Sequence, residues 1–239
     1  FWNAADGSSV SKSKLGFSMN CMEELNFKEQ GADKQLFVIG GESGKLIVYD
    51  YSTNTIVKDI TRSTRNILSV KVLPNKRNPT SKYSTIITSN SKGEVRFWDW
   101  NRGVCTYKIY LGIQPIQGLS LLQDSQSNKR LPVLSNSYEN KVFLWSLATK
   151  APRMLRQFSQ HDNWVRSVVS KTVENTEGRY GKAKWINMLV TAGDDNVIRL
   201  FNMLSGECLQ QIKVHVSGII YMEIVDNLLV SCESCGRIG

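Results

Sequence analysis

One pattern returns throughout this chain, and it limits the possible folds more than any other feature. An apolar run, a small-residue turn and a second apolar run closing on an aromatic residue and a polar one read Leu36-Phe37-Val38-Ile39, Gly40 to Gly44, Leu46-Ile47-Val48-Tyr49-Asp50. The same order reads Thr85-Ile86-Ile87-Thr88, Ser89 to Gly93, Val95-Arg96-Phe97-Trp98-Asp99, and again Val133-Leu134, Ser135 to Asn140, Val142-Phe143-Leu144-Trp145-Ser146. A fourth copy is Met188-Leu189-Val190-Thr191, Ala192 to Asn196, Val197-Ile198-Arg199-Leu200-Phe201-Asn202. The aromatic anchors Trp2, Tyr49, Trp98, Trp145 and Phe201 lie 47, 49, 47 and 56 residues apart. Such a period is the signature of a repeat architecture, in which each unit buries its apolar faces against its neighbours. Shorter β-type runs fill the rest of each period: Thr55 to Ile60, Val104 to Tyr110, Met154 to Phe158 and Cys208 to Ile212 after the anchors, and Ile67 to Leu73, Ile116 to Leu122, Trp164 to Lys171 and Gly218 to Val225 before the next unit. Four short strands per unit with no helical period predict an all-β chain and argue against an α/β one.

On Val95-Arg96-Phe97-Trp98-Asp99 and Asp194-Asp195-Asn196-Val197-Ile198-Arg199-Leu200-Phe201-Asn202 above all, the chain resembles the WD-repeat family over almost its whole length. The resemblance implies a β-propeller of four-stranded blades around a central channel. It predicts blades at about 17–60, 66–110, 116–158 and 164–212, with partial blades at 1–14 and 218–239. Because the chain starts at Phe1 and the repeat begins and stops inside a unit, it reads as a fragment of a larger propeller; closure of five blades from the two partial ends is the alternative. The resemblance also implies a polar network of His, Ser/Thr, Asp and Trp within each blade, a buried chain that rigidifies the blade when every member is satisfied. His161, Thr191 and Asp195 supply three members in one blade, but Phe201 stands where the Trp would be and has no N–H. Elsewhere the turn Asp is replaced by Ser43, Lys92, Glu139 or Cys235, which predicts blades held by apolar packing.

Apparent active-site motifs dissolve on inspection. Gly40-Gly41-Glu42-Ser43-Gly44-Lys45-Leu46 imitates a phosphate loop, yet Ile39 and Leu46 occupy the positions that need Gly and Ser/Thr, and the segment joins two strands. Cys232 and Cys235 have metal-ligand spacing without a second pair, so packing and a turn are expected there rather than zinc. Two histidines, His161 and His215, both precede a first strand and build no triad with a nucleophile. The expectation is therefore a protein that is not an enzyme, with no cofactor, no metal and no small-molecule substrate.

Charge and cysteine usage bear on partners and surroundings. Five scattered cysteines fit a reducing compartment, cytoplasmic or nuclear, and no apolar run reaches the roughly 18 residues of a membrane span. Lys and Arg number 30 against 21 Asp and Glu, for a net charge of +9. Much of that excess falls in three long loops between first and second strands, Pro74 to Lys82, Gln123 to Arg130 and Thr172 to Lys184, through Lys76, Arg77, Lys82, Lys129, Arg130, Arg179, Lys182 and Lys184. A basic face of this kind can meet nucleic acid or acidic peptide. At the opposite face Trp164 and Tyr138, with Arg62 and Arg65, have the residue types of a protein-binding hot spot. The leading expectation is a scaffold or adaptor that holds other proteins as a subunit of a complex. The rivals are a nucleic-acid-associated subunit in RNA processing or ribosome assembly, and a ubiquitin-ligase substrate receptor. For the last, the family's ligase signature needs Arg at 101, where Asn stands, with Arg102 one position too far.

Overall fold

The computed structural model describes residues 5–9, 12–29, 32–61, 64–73, 85–111, 114–123, 130–136, 140–146, 153–175 and 185–239, with side chains for all of these except 26–29, 32–35, 122–123, 130–136 and 185. Among the described residues the chain is all-β, with one short 3-10 turn at Glu42–Gly44 and no α-helix. The strands form a series of antiparallel sheets in which each strand pairs with the next in sequence. Sheet one holds β1 (Met19–Glu29), β2 (Ala32–Gly41), β3 (Leu46–Asp50) and β4 (Thr55–Asp59); sheet two holds β5 (Ile67–Leu73), β6 (Thr85–Asn90), β7 (Glu94–Asp99) and β8 (Val104–Tyr110). Sheet three holds β9 (Gly118–Gln123), β10 (Arg130–Asn136), β11 (Lys141–Ser146) and β12 (Arg153–Phe158). Sheet four holds β13 (Val165–Glu174), β14 (Trp185–Gly193), β15 (Ile198–Asn202) and β16 (Cys208–Ile212), and β17 (Ile219–Val225) pairs with β18 (Leu228–Glu233) in a two-stranded fifth. Ile238 then bridges to Cys232 beside β18.

Alternation along each strand explains the packing. Side chains at i and i+2 face one way and those between face the other. In β7, Val95 and Phe97 join Ile116, Leu119, Phe143 and Trp145 between sheets two and three. Trp98, from the other face of β7, joins Leu46, Val48, Ile60 and Val70 between sheets one and two. Val142 and Leu144 meet Leu189 and Phe201 between sheets three and four, and Val190 and Ile198 meet Ile219 and Met222 between four and five. Both faces of an inner sheet are thus buried, and its strands read as continuous apolar runs for that reason.

The polar residue after each aromatic anchor ends its strand. Asp50 accepts the amides of Ser52 and Thr53, Asp99 accepts that of Arg102, and Asn202 accepts those of Leu204 and Ser205. These are side-chain caps on the turns into the fourth strands, a task suited to Asp and Asn. A register shift falls at the anchor in all four sheets, at Tyr49, Trp98, Trp145 and Phe201.

First strands also share a device. β1, β5, β13 and β17 each carry a bulge near their start, so that Asn20, Leu68, Arg166 and Ile220 are extra residues in the register. In β5 and β13 the residue after the bulge reaches the next sheet: Ser69 Oγ accepts the Leu119 amide at 3.2 Å, and Ser167 Oγ accepts the buried Met222 amide at 2.9 Å. At the far edge of the sheets, Lys58 of β4 donates to the Asn101 carbonyl of sheet two, and Arg156 of β12 donates to the Leu204 and Ser205 carbonyls of sheet four.

The long loops differ from expectation at their ends. Gln123 pairs with Arg130 as the last rung of β9 and β10, so Arg130 belongs to a strand. Thr172 to Glu174 continue β13 opposite Asn187 to Trp185. Backbone pairing claims these residues because the first hairpin strands of sheets three and four run further than their apolar cores. Within the Gly40 to Gly44 segment, Gly40 and Gly41 close β2 and Glu42–Gly44 form a tight turn in which Ser43 has φ 54°.

Candidate partner-binding face

Trp164 stands immediately before β13, at the end of sheet four where the β14–β15 turn also lies. Its carbonyl accepts the Asp194 amide at 2.9 Å. Only Gly fits at 193, because a Cβ there would collide with that same carbonyl oxygen. The bulge residue Arg166 folds back so that its guanidinium carbon lies 4.9 Å from the centre of the Trp164 ring. Arg166 donates through Nε (3.0 Å and 3.1 Å) and Nη2 (2.8 Å) to the Asp194 carboxylate. A planar fork fixed on a carboxylate and laid on an indole is a rigid unit, since both the bidentate bonds and the cation–π contact restrict the same plane. Nη1 of Arg166 has no acceptor among the described residues and the side chain is 30% exposed.

Beneath this unit lies the buried network. His161 Nδ1 lies 3.0 Å from both Asp195 oxygens and 2.8 Å from Arg199 Nη1, and Nε2 lies 2.7 Å from the Thr191 hydroxyl. Asp195 also takes the Asp162 and Val197 amides. The place left by Phe201 is filled from elsewhere: Arg199, opposite Thr191 in the β14–β15 ladder, donates to Asp195 through Nη1. Sequence reading does not single out Arg199, because the family pattern directs attention to position 201. Burial opposes charge on Asp195, but the hydrogen bond and charge of His161, with Arg199 and the Asp162 amide, hold its carboxyl well below the usual carboxylate range.

Equivalent networks exist where packing alone was expected. In sheet two Trp98 Nε1 donates to Thr88 Oγ1 at 2.9 Å in a fully buried pair. Below it Asn90 accepts the Lys92 and Glu94 amides. In sheet five His215 Nε2 meets Ser231 Oγ at 2.7 Å, and Glu233 takes the Val216 and Ser217 amides, each at 3.0 Å. Glu233 sits at the end of the second strand rather than in the turn, and its longer side chain reaches back to do what a turn Asp does. The Ser217 amide, against the cost of burial and with help from Cys235 and the Val216 amide, lowers its pKa to about 2. Cys235 Sγ donates to Glu233 Oε1 at 3.2 Å, which ties that thiol to Glu233 rather than to Cys232. Among the described residues no group of three or more His, Cys, Asp or Glu could hold a metal ion.

Arg65 is exposed at the entry to sheet two, one residue before Asn66, which is the counterpart of Trp164 there and whose carbonyl accepts the Ser91 amide. Tyr138, Arg62, Lys76, Arg77, Lys82, Lys129, Arg179, Lys182 and Lys184 lie outside the described residues, and Arg130 is described by its backbone alone. The strand ends that flank the basic loops, Leu73 with Thr85 and Glu174 with Trp185, close their hairpins at the end opposite Trp164. Other basic residues are spent between sheets: Lys71 pairs with Glu23 at 2.8 Å, and Lys171 donates to the Asp226 carbonyl and to Asn227. No helix among the described residues is long and apolar enough to cross a membrane. In comparisons with known proteins, no family model matches the chain and no curated protein matches it.

Proposed function

We propose that the chain is part of a WD-type β-propeller and works as a scaffold that holds partner proteins without chemistry of its own. The observation that carries this reading is the Trp164–Arg166–Asp194 unit: a half-buried indole, with a guanidinium held 4.9 Å from its ring and fixed on the Asp194 carboxylate. Trp and Arg are the side chains most enriched among residues that dominate protein interfaces, and rigidity before binding lowers the entropy lost on association. The propeller reading is supported by the sequential four-stranded sheets, their shared interfaces, and first strands that lie side by side from sheet to sheet.

The test is quantitative affinity capture with the intact chain, the Trp164→Ala variant, and a variant reversing Lys76, Arg77, Lys182 and Lys184. Under the scaffold reading, Trp164→Ala removes a defined set of proteins and the charge reversal leaves them in place. Capture of nucleic acid that weakens steeply with salt and is abolished by the reversal would instead establish the nucleic-acid role.

A further inference from the structure

The corner where sheet four meets sheet five is built for more than a generic contact. We infer that Trp164, Arg166, Asp194, Val214, Val216 and Ile220 together bind an uncharged, extended segment of a partner protein, with an apolar side chain against Trp164 and Val216 and a main-chain carbonyl on Arg166 Nη1. This rests on the scaffold reading and names the chemistry of the partner.

Three observations lead there. First, the corner is a continuous surface. Asn196 Nδ2 donates to the Val216 carbonyl at 3.2 Å, and a Cβ on Gly218 would sit 2.8 Å from the Asp194 carboxylate, so the connection of 213–218 lies against the β14–β15 turn. Second, that connection and the β17 bulge after it display large apolar side chains to solvent: Val214 is 67% exposed, Val216 69% and Ile220 50%. Glu233 fixes the connection in place through the Val216 and Ser217 amides, so the display is preorganised.

Third, the charge of the corner selects against ions. The chain carries +9, yet residues 160–166, 194–199 and 213–220 hold Arg166, Arg199 and Lys213 against Asp162, Asp194 and Asp195, with no net charge. Arg166 already has its charge matched by Asp194 through Nε and Nη2, so an incoming carboxylate would meet a neutralised pair rather than a free cation. An acidic group would also approach Asp194 and Asp162, the latter 91% exposed, while a basic group would approach Arg166. What remains is the Nη1 end of a neutralised guanidinium beside apolar surface. A peptide carbonyl flanked by an apolar side chain satisfies both.

The experiment is selection of displayed random linear peptides on the chain, followed by titration of the enriched peptides against the parent and against Trp164→Ala, Arg166→Met, Val216→Ser and Leu204→Ser. Val216 and Leu204 are both exposed, so their variants fold whatever becomes of the others; Leu204, 72% exposed at the β15–β16 turn, is the control. The expected result is uncharged apolar peptides whose affinity falls about tenfold or more with Trp164→Ala and Arg166→Met. Val216→Ser should weaken them as well, Leu204→Ser should leave them unchanged, and raising salt should have little effect. Acidic, salt-sensitive peptides indifferent to Val216→Ser would overturn the uncharged partner but leave the scaffold reading standing. Peptides indifferent to every corner variant would overturn the site. Failure to enrich any peptide would count against both the site and the scaffold reading.

Discussion

Replacing Asp195 with Asn keeps the shape of the sheet-four network and removes its only buried anion. Asp195 and Arg199 have side chains 5% and 4% exposed, so the substitution leaves a buried guanidinium whose remaining counter-charge is the solvent-exposed Asp162, 3.9 Å away. Removing one partner of a buried ion pair costs about 3–5 kcal/mol, a large part of the roughly 5–15 kcal/mol that holds a domain folded. Arg199→Met is a different perturbation. Asp195 then still accepts from His161 and from the Asp162 and Val197 amides, and the loss is that of one charge-assisted hydrogen bond, about 1.5–3 kcal/mol. The double variant removes cation and anion together. Its destabilisation should fall short of the sum of the two single ones by at least about 2 kcal/mol. The assay is urea unfolding followed by tryptophan fluorescence and far-ultraviolet circular dichroism, with coincident transitions and an unchanged m-value required before free energies are compared. Additive single effects, with a coupling below about 0.5 kcal/mol, would refute the idea that Arg199 depends on Asp195. Protonation makes the same change reversibly. The folded-state pKa of Asp195 lies below its ordinary 3.8, so its contribution is complete above that value and is lost as the pH falls further.

Glu233 should give sheet five an acid sensitivity of its own. With its pKa lowered from 4.5 to about 2, the stabilisation it provides is full above pH 4.5 and declines as pH falls toward 2; the urea midpoint of the parent should drop across that window more than that of Glu233→Gln. A parallel response of the two proteins would remove Glu233 from the account. Ser167→Ala leaves the buried Met222 amide without its acceptor and should cost about 1–3 kcal/mol, read as faster hydrogen exchange in β17 than in β1; uniform exchange would show that the serine is not a joint between sheets.

Much of the fold could be read before any coordinates, and the reasons are local. The anchors Tyr49, Trp98, Trp145 and Phe201 are visible because alternation and the polar residue after them act within a few residues. Third-strand limits such as Leu46–Asp50, and the fourth strand Val104–Tyr110, follow from the same signals. What escaped was set by register or by the next sheet. Arg199 matters because β15 places it opposite Thr191, and Glu233 because its side chain is long enough to replace a residue expected elsewhere. Ser167 is an ordinary serine in sequence; only the bulge before it, and the arrival of Met222 from 55 residues away, give it a partner. Trp164 stands out by position and residue type, but its two companions, Arg166 and Asp194, are visible only once the bulge brings the guanidinium back over the ring.

The division of each strand between two apolar clusters has a further consequence. Trp98 and Phe97 are adjacent in sequence but belong to different interfaces. No inner sheet therefore owns a complete core, and none is finished until both neighbours have docked. Damage at one interface weakens the two sheets that share it and reaches others only through them. A cavity cut at Leu189, for example, should loosen sheets three and four together and be felt in sheet one only after it has passed through sheet two.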